Sequence, residues 1–331
     1  MTGNKPLEGV RVLEFARVLA GPWAGQLLAD MGADVIKIEN PDGGDETRHW
    51  GPPFIEDPSG SERSAAYFHA CNRGKRSVTL NLKNPKDLEI ANALCGQADV
   101  IIENFKVGTM DRLGLGFESI RIGNPKIVYC SITGFGQTGP YKDRAGYDLI
   151  IQGMSGFMSI TGETSGSPMK AGVAITDILT GLYAVSAINA SLIKALKSGE
   201  GAHIDISLME VMAASLANQN MNFLATGTAP TRLGNAHPNI APYQVVPTSD
   251  GHIIIAAGND RQFKRLCELL STETLISDPR FVTNDGRVKN REELTSMLEQ
   301  STRRWKRDML LEVCAEKGVP AGPINTIEDM F

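Results

Sequence analysis

The stretch that decides the fold is GVRVLEFARVLAGPWAGQLLADMGADVIKIE, residues 9–39. Gly9 to Phe15 is a short run of β-branched and apolar residues, which predicts a strand. Gly21-Pro22 follows, then WAGQLLADMGA (23–33) with apolar residues at helical spacing. Pro22 suits the first turn of a helix and Gly32 its end. DVIKIE (34–39) then reads as a second buried strand.

Outward from this unit the pattern recurs. RSVTLNL (76–82) reads as a strand, PKDLEIANALCGQA (85–98) as a helix, DVIIENF (99–105) as a strand, and PKIVYCSITGFG (125–136) as another. Strands alternating with helices predict an α/β domain with an open, mainly parallel sheet covered on both faces. Two long helical patterns follow, DILTGLYAVSAINASLIKALKSG (177–199) and SLMEVMAASLANQNMNFLATG (207–227), split by the short strand HIDIS (203–207). At TGTAPTRLGNAHPNIAPY (226–243) the composition turns to that of a linker. Strands YQVVPT (243–248) and HIIIAAG (252–258), and then helices, make a second unit. The expected division is a large domain over residues 1–225 and a smaller α+β domain over 226–331.

With 331 residues, 42% of them hydrophobic, the chain can build one large core and one smaller core. A net charge of -5 disfavours nucleic acid and anionic membranes as partners. Residues 1–15 lack the basic-then-apolar pattern of a secretory signal, and no run of roughly 18 apolar residues occurs, so a cytoplasmic protein is expected. A mitochondrial matrix location would apply if a presequence had been removed. Cys71, Cys95, Cys130, Cys267 and Cys314 include no C-x-x-C pair and read as reduced thiols. His49, His69, His203, His237 and His252 form no H-x-x-x-H or H-E-x-x-H pair, so no metal site is expected.

In open parallel sheets, ligands sit outside the carboxyl ends of the strands. Three loops qualify: ARVLAGP (16–22), NFKVGTMDR (104–112) and GFGQTGPYKDRAGYD (134–148). The dinucleotide signature G-x-G-x-x-G is absent after the first strand, and the chain carries neither a phosphate-binding G-x-x-x-x-G-K-[ST] nor a G-x-S-x-G elbow. That pattern disfavours a nicotinamide dehydrogenase, a P-loop phosphotransferase and a serine hydrolase.

Asp177 interrupts the otherwise uncharged AGVAITDILTGLYA (171–184) at a helix entry. An aspartate there can cap the helix by accepting first-turn amides. A partly buried carboxylate held ionised at the same place can also serve as a nucleophile.

AGVAITDILTGLYA, the upstream RAGYD (144–148), RVLAGPWAGQLLADMGADVIKIENPDGGDETR (17–48) and NRGKRSVTLNLK (72–83) are spread over essentially the whole chain. Together they resemble the class III CoA-transferases, which include formyl-CoA, carnitine and bile-acid CoA-transferases. The pattern of CSITGFGQTGP, RAGYD, TDILTGLYA, PYQ and GVPAGPIN is most similar to the succinate and 3-hydroxymethylglutarate (glutarate) type.

The resemblance implies a Rossmann-like first domain and an interlocked homodimer. It also implies coenzyme A as substrate rather than as a permanently bound cofactor, with transfer from succinyl-CoA to a dicarboxylic acid through an aspartyl anhydride and an aspartyl-CoA thioester on Asp177. It implies that Val18, Leu19 and Ala20 line the acyl and pantetheine end of the site, that Asn104 and Phe105 follow the CoA channel, and that Arg112 lies near the phosphates. Lys75 and Arg76 are further candidate phosphate ligands. Leu19 replaces a glutamine of the formyl-CoA transferases, which argues against a formyl or oxalate substrate.

Arg48 and Trp50 match a loop bordering the site, where Arg48 could pair with a distal substrate carboxylate. Racemases of the same fold have histidine at the position of Tyr147. Tyrosine is a poor partner for returning an α-proton, so transfer is expected over the alternative, an α-methylacyl-CoA racemase. Family members continue beyond the equivalent of GPINTIEDMF (322–331) into a segment that returns to the large domain, and the sequence ends before that return segment.

Overall fold

The computed structural model describes residues 5–60 and 63–331 of the chain. The chain divides into two units, the first comprising Met1–Met158 and Lys170–Asn220, the second Ser159–Met169 and Met221–Phe331. Ser159–Met169 thus goes with the second unit, although it precedes the change of composition near residue 225.

The first unit is built on a parallel six-stranded sheet. Its strands are β1 (Arg11–Glu14), β2 (Asp34–Glu39), β5 (Arg76–Thr79), β6 (Val100–Glu103), β7 (Val128–Thr133) and β8 (Ala202–Ser207). A separate antiparallel hairpin, β3 (Phe54–Glu56) with β4 (Arg63–Ala65), lies between β2 and β5 in the chain. The sheet order is β5-β2-β1-β6-β7-β8, and every pairing is parallel. Counted by chain order within the sheet, this is the 3-2-1-4-5-6 arrangement of doubly wound folds, whose direction of winding reverses between β1 and β6. The carboxyl ends of those two strands are therefore where a ligand crevice opens.

Alternate residues of the strands feed two cores, one on each face. Val12, Val35, Ile102, Cys130 and Ile204 pack with α1 (Ala20–Asp30) and the long helix Ile175–Ser198. Leu13, Ile38, Ile101 and Tyr129 pack with the helix Pro85–Gln97 on the other side. The long helix meets the start of α1 at Gly181. A Cβ on Gly181 would come within 2.9 Å of the Ala20 carbonyl oxygen, so only glycine allows this approach. Among the described residues this helix is also the one long and apolar enough to cross a bilayer by length and composition. In the fold its buried side includes Thr176, Asp177, Ala184 and Ile188, packed in the first unit.

The pattern over 207–227 forms two helices, Leu208–Ser215 and Ala217–Thr226, rather than one. Ala217 takes a φ of 43°, which breaks the helical path.

The second unit has the antiparallel sheet β11-β10-β9, from β9 (Tyr243–Pro247), β10 (His252–Ala256) and β11 (Ala321–Pro323), covered by helices. Its core holds Arg287, fully buried. The guanidinium donates to the carbonyls of Ala241 (2.7 Å) and Phe281 (2.9 Å) and to Asp260 (2.7 Å), and it lies over the Phe263 ring. Those partners replace the water that burial removes. β3, β4 and β11 are too short to show an alternating pattern.

Candidate active site

A cleft of ≈ 400 Å³ opens within the first unit, at the winding reversal between β1 and β6. The loop after β1 supplies Arg17, Val18, Leu19 and Ala20, and the loop after β6 supplies Asn104 to Val107 and Arg112. The loop after β7 supplies Gly134 and Lys142 to Tyr147, and the long helix supplies Asp177. The β7 loop folds back on itself through two glycines. A Cβ on Gly134 would lie 2.5 Å from the Gly146 Cα, and one on Gly146 would lie 2.4 Å from the Gly134 Cα. This contact, which no other residue type permits, seats Tyr147 at the cleft wall.

The β1 loop is held by side chains rather than by backbone pairing. The Ala16 carbonyl accepts from Lys37 Nζ at 2.7 Å. The Asn104 amide clamps Arg17, accepting its N–H at 2.9 Å and donating to its carbonyl at 2.7 Å. Val18 N–H donates to both oxygens of Asp45. Val18 itself has φ 69°, a left-handed conformation that costs a β-branched residue about 1–3 kcal/mol.

Asp177 sits in the first turn of its helix, but the N-cap is Ala174, which makes no side-chain cap. The capping bond comes from a neighbouring element: Asp148 accepts the Thr176 N–H at 2.9 Å and Gln152 Nε2 at 2.7 Å. Asp177 is thereby released from the capping role and faces the cleft with 9% exposure. Its carboxyl accepts no hydrogen bond among the described residues. Burial, followed by the charge of Asp148, pushes its pKa up to about 7. A desolvated carboxylate with no hydrogen bonds to weaken it is suited to nucleophilic attack.

Cations ring the same cleft. Arg17 pairs with Glu46 at 2.7 Å. Lys106, Arg112, Lys142 and Arg144 line it too, and among the described residues none of the four has a carboxylate within 4.0 Å. Arg112 donates to Thr109 Oγ1 at 2.9 Å, and Arg144 stacks over the Tyr141 ring at 3.8 Å. Four such cations around one crevice form a receptor for a polyanion such as a phosphorylated nucleotide.

The structure gathers Val18, Leu19, Ala20, Asn104, Phe105, Arg112, Tyr147 and Asp177 at this one cleft. Lys75 requires a correction as a phosphate ligand, because its side chain is 2% exposed. Its Nζ is bound by Glu14 (2.8 Å), the Pro22 carbonyl (2.8 Å) and Asn72 (2.9 Å). Arg76 lies away from the cleft on the edge strand β5, paired with Asp34 at 2.5 Å.

Arg48 is held by Glu39 at 2.6 and 2.8 Å and lies over the Phe68 ring, away from the cleft wall. Trp50 packs edge-on against Tyr67 with ring centroids 5.3 Å apart. Burial, and then the charge of Asp177, push the Tyr67 hydroxyl up to about 12. The sequence reading missed Arg17, Lys106, Lys142, Arg144 and Asp148 as site residues. All but Asp148 are basic residues in the three loops that follow strand ends, and that placement was the available signal.

Comparison with known proteins places the chain among related sequences and structures. The sequence profile described as CoA-transferase family III matches residues 7–331. The chain is 60% identical over 326 residues to a succinate–glutarate CoA-transferase of Agrobacterium fabrum, covering 98% of this chain and 82% of that protein. It is 44% identical over 336 residues to the human succinyl-CoA:glutarate CoA-transferase, covering 100% of this chain and 74% of that one. A crystal structure of a CAIB/BAIF family protein from Brucella suis superposes with a TM-score of 0.87 at 57% identity, covering 99% of this chain and 86% of that chain.

Proposed function

The chain belongs to CoA-transferase family III and is an enzyme that moves CoA between carboxylic acids; within that activity we propose that Asp177 carries the transfer covalently and that succinate and a second dicarboxylic acid are the exchanged acids. The observation that carries this reading is the position of Asp177, a nearly buried carboxylate without hydrogen bonds among the described residues, at the wall of a cleft ringed by Lys106, Arg112, Lys142 and Arg144. The cations suit the phosphates of CoA, and the buried carboxylate suits attack on its thioester.

In this reading the Asp177 carboxylate attacks the donor thioester carbonyl, forming an acyl-aspartyl anhydride and releasing CoA thiolate. The thiolate attacks the aspartyl carbonyl, which frees the donor acid and leaves an aspartyl-CoA thioester. The acceptor carboxylate attacks that thioester, giving a second anhydride and thiolate. Attack of the thiolate on the acceptor acyl carbonyl then yields the new acyl-CoA and restores Asp177. The activated acyl group is conserved at each step, and exclusion of water prevents its hydrolysis.

The test is direct. Incubation with succinyl-CoA and no acceptor should leave an adduct that hydroxylamine or borohydride captures on the peptide containing Asp177. A label on any other carboxylate overturns the assignment. The A. fabrum and human names support glutarate as the first acceptor to assay.

The cleft lies wholly in the first unit, which supports reading that unit as the CoA-binding domain. The reading includes a cytoplasmic homodimer. Leu182, Tyr183, Ile193 and Leu196 expose an apolar stripe on the long helix that a second subunit would cover. Sedimentation should find a dimer, and a stable, active monomer would remove that part.

A further inference from the structure

The segment from Ala16 to Gly21 changes character at Val18. Up to the Val18 amide, the loop's backbone groups are held by side chains: Lys37 on the Ala16 carbonyl, Asn104 on both groups of Arg17, Asp45 on the Val18 N–H. Beyond it, the amides of Leu19, Ala20 and Gly21 find no acceptor among the described residues. Leu19 and Ala20 line the same cleft as Asp177. They open α1, whose first amides point along the helix axis toward its N-terminus and are left unbonded by the helix itself.

Between the two halves stands Val18, in the left-handed conformation a valine avoids. Something must hold it there. Asp45 is 1% exposed, and its two oxygens accept the Val18 N–H at 3.3 and 3.2 Å. The same carboxylate is pinned by Lys37 Nζ at 3.0 Å, by Thr47 N–H at 3.0 Å and by Thr47 Oγ1 at 2.8 Å. It is an anchored acceptor, unable to follow the loop if the loop relaxes.

We propose that Asp45 is a positioning residue for CoA transfer, acting through Val18: it holds the left-handed turn that sets the Leu19 and Ala20 amides at the cleft wall. Without the anchored acceptor, Val18 returns to negative φ, the 18–19 peptide rotates and the start of α1 shifts relative to Asp177. A displacement of about 1 Å in a reacting constellation can lower turnover about 10²-fold. This inference rests on the reading that transfer takes place in the Asp177 cleft.

The alternative role for Asp45 is structural only, as the cap of the short 3-10 helix Glu46–His49. A comparison of two backgrounds separates the roles, because glycine adopts positive φ without help. In the wild-type background, Asp45→Asn should lower kcat about 10²-fold and leave the Kd for CoA within about threefold. In the Val18→Gly background, the same substitution should lower kcat by less than about tenfold, since residue 18 no longer needs its anchor. Equal losses in the two backgrounds overturn the proposal, and so does a loss under about threefold in the wild type.

If Asp45→Asn does not fold, Thr47→Val, which removes one restraint on the same carboxylate, is read in the two backgrounds. A loss confined to the valine background supports the proposal, and equal losses overturn it. Asp177 is retained in every variant. Failure to trap an Asp177 adduct in the wild type therefore tests the covalent reading separately and leaves the kcat comparison intact.

Discussion

Asp177→Asn should abolish CoA transfer, by a factor of about 10³ or more, while CoA still binds and the protein becomes more stable at alkaline pH. Asparagine keeps the shape of the side chain but cannot form the anhydride, so binding and chemistry separate. The gain in stability follows from burial. Because burial and then Asp148 push the Asp177 pKa up to about 7, the folded state keeps a proton that the unfolded chain gives up near the ordinary aspartate value of 3.8. As pH rises through that window the unfolded state binds fewer protons than the folded one, so wild-type stability falls, and above about pH 7 the full cost of the buried charge remains. That cost is on the order of a few kcal/mol, and a neutral amide does not carry it.

The thermal midpoint of Asp177→Asn should therefore exceed that of the wild type at about pH 8, with the gap closing toward about pH 4. For the wild type, kcat/KM should rise with pH and level off above about 7, the pKa of the free enzyme's essential carboxyl. Transfer retained within about tenfold would withdraw Asp177 as nucleophile. An unchanged midpoint at alkaline pH would instead withdraw the desolvated setting that makes the carboxylate reactive.

What could be read from the sequence is local. The apolar runs around Val12, Val35, Ile101 and Val128 mark strands because the sheet they form is covered on both faces, and Pro22 and Gly32 bracket a helix whose start lies at the cleft. The interruption at Asp177 was visible for the same reason, a charge among apolar neighbours. The partners were not visible. Asp148 caps the Asp177 helix from 28 residues away, so the sequence left the capping and nucleophilic roles of Asp177 both open. Lys75 and Arg112 are equally basic residues near glycines, yet Lys75 reaches Glu14 across 61 residues and is consumed by it, while Arg112 stays at the cleft. Charge alone does not say which cation is already paired, because pairing is settled by the winding of the sheet. The break at Ala217 was hidden too, since alanine carries no turn signal.

A buried pairing lies beneath the β1 loop, and Lys37→Met should destabilise the protein by about 3–5 kcal/mol. Lys37 is 1% exposed on β2, with Nζ 3.0 Å from Glu14 Oε1, 3.0 Å from Asp45 Oδ2 and 2.7 Å from the Ala16 carbonyl. Methionine fills similar space but leaves Asp45 as a buried charge with no cation against it, while Glu14 keeps Lys75. The pH dependence differs from that of Asp177. Burial pulls the Lys37 pKa down, but Glu14 and Asp45 outweigh it, and the net shift is upward. Its contribution is therefore fully present below the unfolded value near 10.5 and is lost only as pH rises through the folded one. The deficit in Lys37→Met should then be constant between about pH 6 and pH 9, seen in urea titrations as a lower midpoint with unchanged slope. Arg76→Gln, which breaks the exposed pair with Asp34, is the control and should cost less than about 1 kcal/mol. A Lys37→Met deficit no larger than that control would mean the buried carboxylates find other partners, and the anchoring of Asp45 by Lys37 would have to be abandoned with it.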